Sequence, residues 1–208
     1  MRRSRLLMAC ALALAACSGG EGRELAPYYD PLGYFTVDLP TANALVVAPP
    51  RPAQDGPSLL TGVLAQPPAP SPAPQGRLSA FDLTQVEPPD QTVYQILAVT
   101  TDGFADLEEM GLYFITGNPA IDVQADEPIR IDGDPGRLLV ADVVEARRVT
   151  AGVAVAMTLG QEGTGFLIVA VFPAGRWEAE RADLERVLAS FRGQVPPGLE
   201  TFPVTRGV

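Results

Sequence analysis

The chain has 208 residues, 47% of them hydrophobic, and a formal charge of −10, enough for an ordinary folded domain with its own core. It contains no histidine and no lysine, which excludes Ser-His and Cys-His nucleophiles, histidine-ligated zinc, Schiff-base lysines and a phosphate-loop lysine. The acidity argues against nucleic acid, whose phosphates would be repelled, and leaves carboxylate chemistry and oxygen-ligand metal binding as the open classes.

The amino terminus, MRRSRLLMACALALAA, places Arg2, Arg3 and Arg5 before a short apolar run. That is the layout of a secretory signal, and the run is too short to span a bilayer. Leu14-Ala15-Ala16-Cys17 resembles the bacterial lipobox, so residues 1–16 are expected to be a lipoprotein signal peptide. The resemblance implies cleavage before Cys17, which would then carry diacylglycerol and an acylated amine, a stable membrane anchor. Cys10 heads a second, shorter match. Ser18 is not the aspartate that retains lipoproteins at the inner membrane. The expected location is therefore the cell envelope: the periplasmic side of the outer membrane in a Gram-negative cell, the outer face of the cytoplasmic membrane otherwise. With Cys17 lipidated no free thiol remains, and no intramolecular disulfide can staple the fold.

Residues 17–31 show no apolar period and read as a flexible tether, followed by one domain over 32–193 and a tail over 194–208. Tyr28, Tyr29 and Tyr34 are expected to pack over the edge of the core. Tyr34–Leu39, Leu45–Ala48 and Leu59–Ala65 read as strands. Proline-rich loops are expected at 49–57 and 66–76, the second extended or disordered. Leu78–Val86 and Val93–Val99 read as further strands. Phe104, Leu107 and Met110 share one face of a brief helix ending at Gly111, with Leu112–Thr116 a strand stub before the turn at Gly117-Asn118-Pro119.

The second half reads as four strands and a helix. Ile129 and Ile131 lead through Asp132-Gly133-Asp134-Pro135-Gly136 into Leu138–Val143, and Val149–Leu159 turns into Phe166–Phe172. Pro173, Ala174 and Gly175 break the last strand. Trp177, Leu184, Val187, Leu188 and Phe191 then fall on one helical face, with Arg192 and Gly193 as the exit. Consecutive hairpins mean antiparallel pairing, and the closing helix must cover one face of the sheet, so the class is α+β.

The chemistry-bearing clusters are few. Asp132 and Asp134 lie in a calcium-like spacing that lacks the third acid and distal glutamate of an EF-hand, and the same residues suit a tight hairpin. Asp122, Asp126 and Glu127 would have to converge with them to form a weak Ca²⁺ site. Asp102, Asp106, Glu108 and Glu109 crowd the first helix, as an acid–base pair or as a solvated face. Arg176–Glu180 and Arg181–Glu185 are i,i+4 surface pairs. Arg147-Arg148 marks either a partner contact or a charge that guards a sheet edge.

The opening YFTVDLP, the hairpin IDGDPGRLLVAD and the closing GFLIVAVFPAGRWEAERADLERVLASFR together resemble the PsbP-like superfamily, which includes DcrB-type bacterial lipoproteins. The resemblance implies a central antiparallel sheet sandwiched by helices, with a last helix ending in a Ser-Phe pair, here Ser190-Phe191. It also implies a non-enzymatic accessory or assembly domain with no shared catalytic residues; no cofactor is expected. The expected function is a non-catalytic binding or assembly module, partnered by the membrane through Cys17 and by an envelope protein. The alternatives are a small-ligand or calcium-binding lipoprotein and, behind it, a carboxylate-based hydrolase.

Overall fold

The computed structural model describes residues 22–53, 56–68, 89–101, 104–117 and 120–194. In chain order these form β1 (Leu25–Tyr29), β2 (Phe35–Pro40), β3 (Ala44–Ala48), β4 (Leu59–Gln66), β5 (Val93–Thr100), α1 (Leu107–Gly117), β6 (Ile121–Ile131), β7 (Asp134–Glu145), β8 (Arg148–Leu159), β9 (Thr164–Pro173), α2 (Trp177–Ser190) and β10 (Arg192–Gly193). The expected strand at Leu78–Val86 lies outside the described residues.

Strands β3 to β9 build a seven-stranded sheet in the order β3-β4-β5-β9-β8-β7-β6, with every neighbouring pair antiparallel. β9 lies in the middle and is covered on both faces, which explains its continuous apolar run of Phe166–Phe172. Alternation along the strands divides the core in two. Ile96, Ala154, Ile168 and Phe172 face a layer made of α2 and a three-stranded sheet ordered β1-β2-β10. Leu97, Val153, Val155 and Leu167 face the other way, toward Met110 and Phe114 of α1. The fold is thus α+β, a central antiparallel sheet with one helix on each face.

Three expectations change. The tether read over 17–31 already contains a strand: Leu25–Tyr29 pairs residue by residue with Thr36–Pro40. Pro27 is tolerated because β1 is an edge strand. The buried Asp30 then fixes the following turn, accepting the Leu32 and Tyr34 N–H groups at 3.1 and 3.0 Å and the Thr61 hydroxyl at 2.7 Å. Tyr28 packs on Phe35 and Tyr34 is buried, whereas Tyr29 is 70% exposed.

The second correction is in α1, which runs on through Leu112–Thr116 where a strand stub was expected. Met110 and Phe114, one turn apart, carry the same buried stripe forward, and that packing overrides the β-prone composition of LYFIT. The third is the exit of α2. Phe191 has φ −64° and ψ 135°, so the chain leaves directly into β10 beside β2 rather than through a left-handed glycine.

That exit gives Ser190 and Phe191 distinct tasks. The Ser190 hydroxyl accepts the Asp38 N–H of β2 at 2.8 Å and donates to the Val187 carbonyl at 2.8 Å. Phe191 is fully buried, 6.1 Å from the Phe35 ring and 5.3 Å from the Phe166 ring between centroids. Together they fasten α2 to both sheets.

A candidate binding groove beside the closing helix

Leu184 and Val187 bury one stripe of α2 against the sheet, which leaves each edge of that stripe facing a different strand. On one edge, α2 and β6 bound an open groove of about 480 Å³. Its floor is apolar, made by Ile129, Leu138 and Leu188, and its walls carry Glu127 and Arg130 from β6 opposite Arg181 and Glu185 from α2.

The arginines are held at set positions. Arg181 Nε donates to Glu185 Oε1 at 2.9 Å, and its guanidinium lies 6.0 Å from the Trp177 ring centroid. Arg130 Nη1 donates to the Gly133 carbonyl at 2.7 Å. Arg192 Nη1 donates to the Ala189 carbonyl at 2.9 Å. Arg181 and Arg192 are ion-paired to Glu185 and Asp132, so the groove presents arginines and carboxylates in equal number beside an apolar floor.

Asp132 stands at the end of this groove. Asp132 and Gly133 have φ of 54° and 88°, and Ile131 pairs with Asp134. The β6–β7 connection is therefore a two-residue turn of the mirror-image type, the tight hairpin that these residues suit. Asp132 Oδ2 accepts the Gly193 N–H at 3.0 Å, and Oδ1 lies 3.5 Å from Arg192 Nε. Its carboxylate thus pins β10 to the hairpin. A cavity of about 150 Å³ lies on its other side, lined by Asp134, Thr158, Gln161 and Gln194.

The wider acidic set does not converge. Asp122 and Asp132 lie at opposite ends of the β6 hairpin arm, roughly 30 Å apart at strand spacing. Asp126 is bound by the Arg137 guanidinium, which also donates to the Leu107 and Glu108 carbonyls of α1. The hydrogen bond from Arg137 holds the Asp126 carboxyl below the usual range. Among the described residues no three carboxylate or thiol side chains gather as a metal site would require.

The acids of the first helix also have structural work. Asp106 Oδ1 accepts the Glu109 N–H at 2.9 Å, and Glu109 Oε2 accepts the Ala105 N–H at 2.7 Å. This is a reciprocal cap on the α1 amino terminus; Asp102 lies outside the described residues. Arg147 sits with Ala146 in left-handed conformations at the β7–β8 turn, between two interior strands, so it guards no sheet edge.

Sequence reasoning missed the other edge of the α2 stripe. Glu180 and Asp183, 5% and 8% exposed, both turn toward Arg23 of the amino-terminal strap. Arg23 Nη2 donates to Glu180 Oε1 at 3.0 Å and to Thr92 Oγ1 at 3.2 Å, and Nε lies 3.6 Å from Asp183 Oδ2. Glu180 is therefore no surface partner of Arg176, as its spacing had suggested. Only the isolated run of charge around Arg23 could have signalled this, and it has no period to read.

No family model matches the chain, and no curated protein matches it. Solved structures do. The cyanobacterial PsbP of Synechocystis is 15% identical and superposes with a TM-score of 0.53, covering 87% of this chain and 99% of its own. The Ran-binding protein Mog1p of Saccharomyces cerevisiae is 12% identical at a TM-score of 0.48, covering 82% and 96%. The likeness to the cyanobacterial protein defines the class, a PsbP-like α+β fold. At this identity it shows the fold alone.

Proposed function

We propose that this protein is a lipid-anchored, non-catalytic binding or assembly module of the cell envelope, and that it engages a protein partner in the groove between α2 and β6. The observation that carries the reading is the groove itself, an open apolar floor of Ile129, Leu138 and Leu188 between charged walls. An apolar floor with a polar rim suits a peptide or helix face from another protein. The carboxylates that a hydrolase would need are committed elsewhere: Glu180 and Asp183 to Arg23, Asp126 to Arg137, and Asp106 and Glu109 to the cap of α1. Among the described residues no helix is long and apolar enough to cross a membrane, so attachment in this reading rests on Cys17.

The test is a photo-crosslinking residue in place of Ala189, which lines the groove, in cells carrying the full chain. One discrete crosslinked protein is expected, lost when Leu188→Glu places a charge on the floor. A chain with no crosslinked partner, folded and at native abundance, overturns the groove. A full chain that takes up no labelled palmitate, or whose label persists in Cys17→Ala, overturns the anchor.

A further inference from the structure

The α2 wall of the groove is laid out for a helix. Arg181, Glu185, Leu188 and Ala189 line it at spacings i, i+4, i+7 and i+8, the pattern by which one helix packs along another. This stripe is separate from the Leu184 and Val187 stripe that α2 buries on the sheet. Its members are exposed apart from the half-buried Leu188. Ala189 carries only a methyl group, so a neighbour can come close to the α2 backbone there.

The sheet supplies a floor of matching length. Ile129 of β6 and Leu138 of β7 face the same side of the sheet as α2. On β6, Glu127 and Asp132 bound the groove, a span of about 16 Å at strand spacing, or three turns of helix. A strand joining the ladder of β6 would meet a bulge between Val123 and Ala125 and the missing N–H of Pro128. Helices in layered folds bury their apolar stripe on the sheet, each beside the next. The groove is the open place beside α2 in that layer.

The charges of the groove set a pattern for its occupant. Arg181 pairs with Glu185 at 2.9 Å, and Arg192 with Asp132 at 3.5 Å. Glu127 lies near Arg181 without bridging it, and Arg130 donates to the Gly133 carbonyl. Among the described residues neither Glu127 nor Arg130 makes an ion pair. They stand three residues apart on β6, about 10 Å, which is two turns of a helix.

We propose that the groove takes an amphipathic α-helix of a partner protein, about three turns long, lying beside α2 with its apolar stripe on Ile129, Leu138 and Leu188. The helix carries a basic and an acidic side chain about seven residues apart, the first against Glu127 and the second against Arg130. This inference rests on the groove being the binding site, as proposed above, and names what fills it.

The experiment places a photo-crosslinking residue singly at the exposed positions Arg181, Glu185 and Ala189 of the full chain in cells, and maps the captured residues by mass spectrometry. Each step of four residues along α2 advances about 6 Å. A helix lying beside it should be captured at residues about four and eight positions apart, an extended peptide at about two and four. The expected result is the helical spacing, on one face of one partner. Arg130→Glu should cut capture at Ala189 about ten-fold or more by setting like charges together, and reversing the partner's acidic residue to arginine should restore it. The extended spacing overturns the helix and leaves the groove standing. A captured peptide that belongs to this chain, whether from a second copy or from its own residues 195–208, overturns the partner. Capture unmoved by Arg130→Glu overturns the charge pattern. No capture at any of the three positions, with the chain folded, overturns the groove itself.

Discussion

Phe172 lies across Gly152 on the neighbouring strand, so close that a Cβ on Gly152 would sit 2.1 Å from the ring. The same ring stacks on Trp177 at 5.9 Å, which sets where α2 begins. Gly152→Ala must therefore push Phe172 aside and disturb the helix start. Overpacking of this kind costs about 1–3 kcal/mol. Urea unfolding should show that loss together with a change in Trp177 fluorescence, and an unchanged midpoint would refute the close packing.

Gly111 sits mid-helix in α1 because the Arg137 guanidinium fills the space a side chain would take, 2.6 Å from an ideal Cβ. Gly111→Ala gains about 1 kcal/mol of helix propensity but displaces Arg137 from Asp126 and from two helix carbonyls, bonds that carry charge. The displacement should win, giving a net loss of about 1 kcal/mol. In an Arg137→Ala background the same substitution should become stabilising. A double-mutant cycle that shows no change of sign would remove Arg137 as the cause.

The Asp126 carboxyl, held low by Arg137, stabilises the fold above the ordinary carboxylate pKa, about 3.9. That stability is lost as pH falls through its depressed value. Because the side chain is 40% exposed, solvent limits the effect to about 1 kcal/mol or less. Asp126→Asn should lower the urea midpoint at pH 7 and converge with the unaltered protein near pH 2.

Tyr28 carries a buried hydroxyl without a partner, and the Tyr94 hydroxyl is buried beside the Arg23 guanidinium. Burial, the largest cause for both, pushes their pKa values up to about 12. The folded chain holds these protons while the unfolded chain releases them near 10, so stability falls between pH 10 and pH 12. Tyr28→Phe removes an unsatisfied buried hydroxyl; it should be neutral at pH 7, or gain about 1 kcal/mol, and reduce the alkaline loss. Ultraviolet titration of the phenolates checks the first claim and thermal unfolding the second.

The two edges of the large sheet differ. β6 carries Asp122, Asp126, Glu127 and Pro128 with a bulge between Val123 and Ala125, features that discourage strand addition. β3 has none of these, and Leu45, Val46 and Val47 are 46%, 45% and 47% exposed. Aggregation on heating should start there. Val46→Lys should leave the thermal midpoint within about 0.5 kcal/mol of stability and reduce light scattering above it; equal scattering would place the sticky edge elsewhere.

The fold's second half was legible because its signals are local. Phe166–Phe172 is too apolar for any place but the sheet centre, and Asp132-Gly133 is what a mirror-image turn needs. Leu25–Tyr29 was not legible, since LAPYY becomes a strand only through its register with β2. Leu112–Thr116 misled because five β-prone residues weigh less than a stripe begun one turn earlier. The candidate groove and the Arg23 cluster share that difficulty. Ile129 and Leu188 meet across nearly sixty residues of chain, and Arg23 finds Glu180 across 157, so neither pairing leaves a spacing to read.

β1 and β10 flank β2 and run in the same direction, with Leu25 opposite Pro40 and Gly193 opposite Phe35. The described chain therefore leaves this small sheet at two opposite ends, about 17 Å apart along the strand axis. A pull between those ends loads the ladders lengthwise, so the hydrogen bonds of β1 must yield together rather than one after another. A protein held at its leading end and tugged from its trailing end would resist such traction as a single mechanical unit.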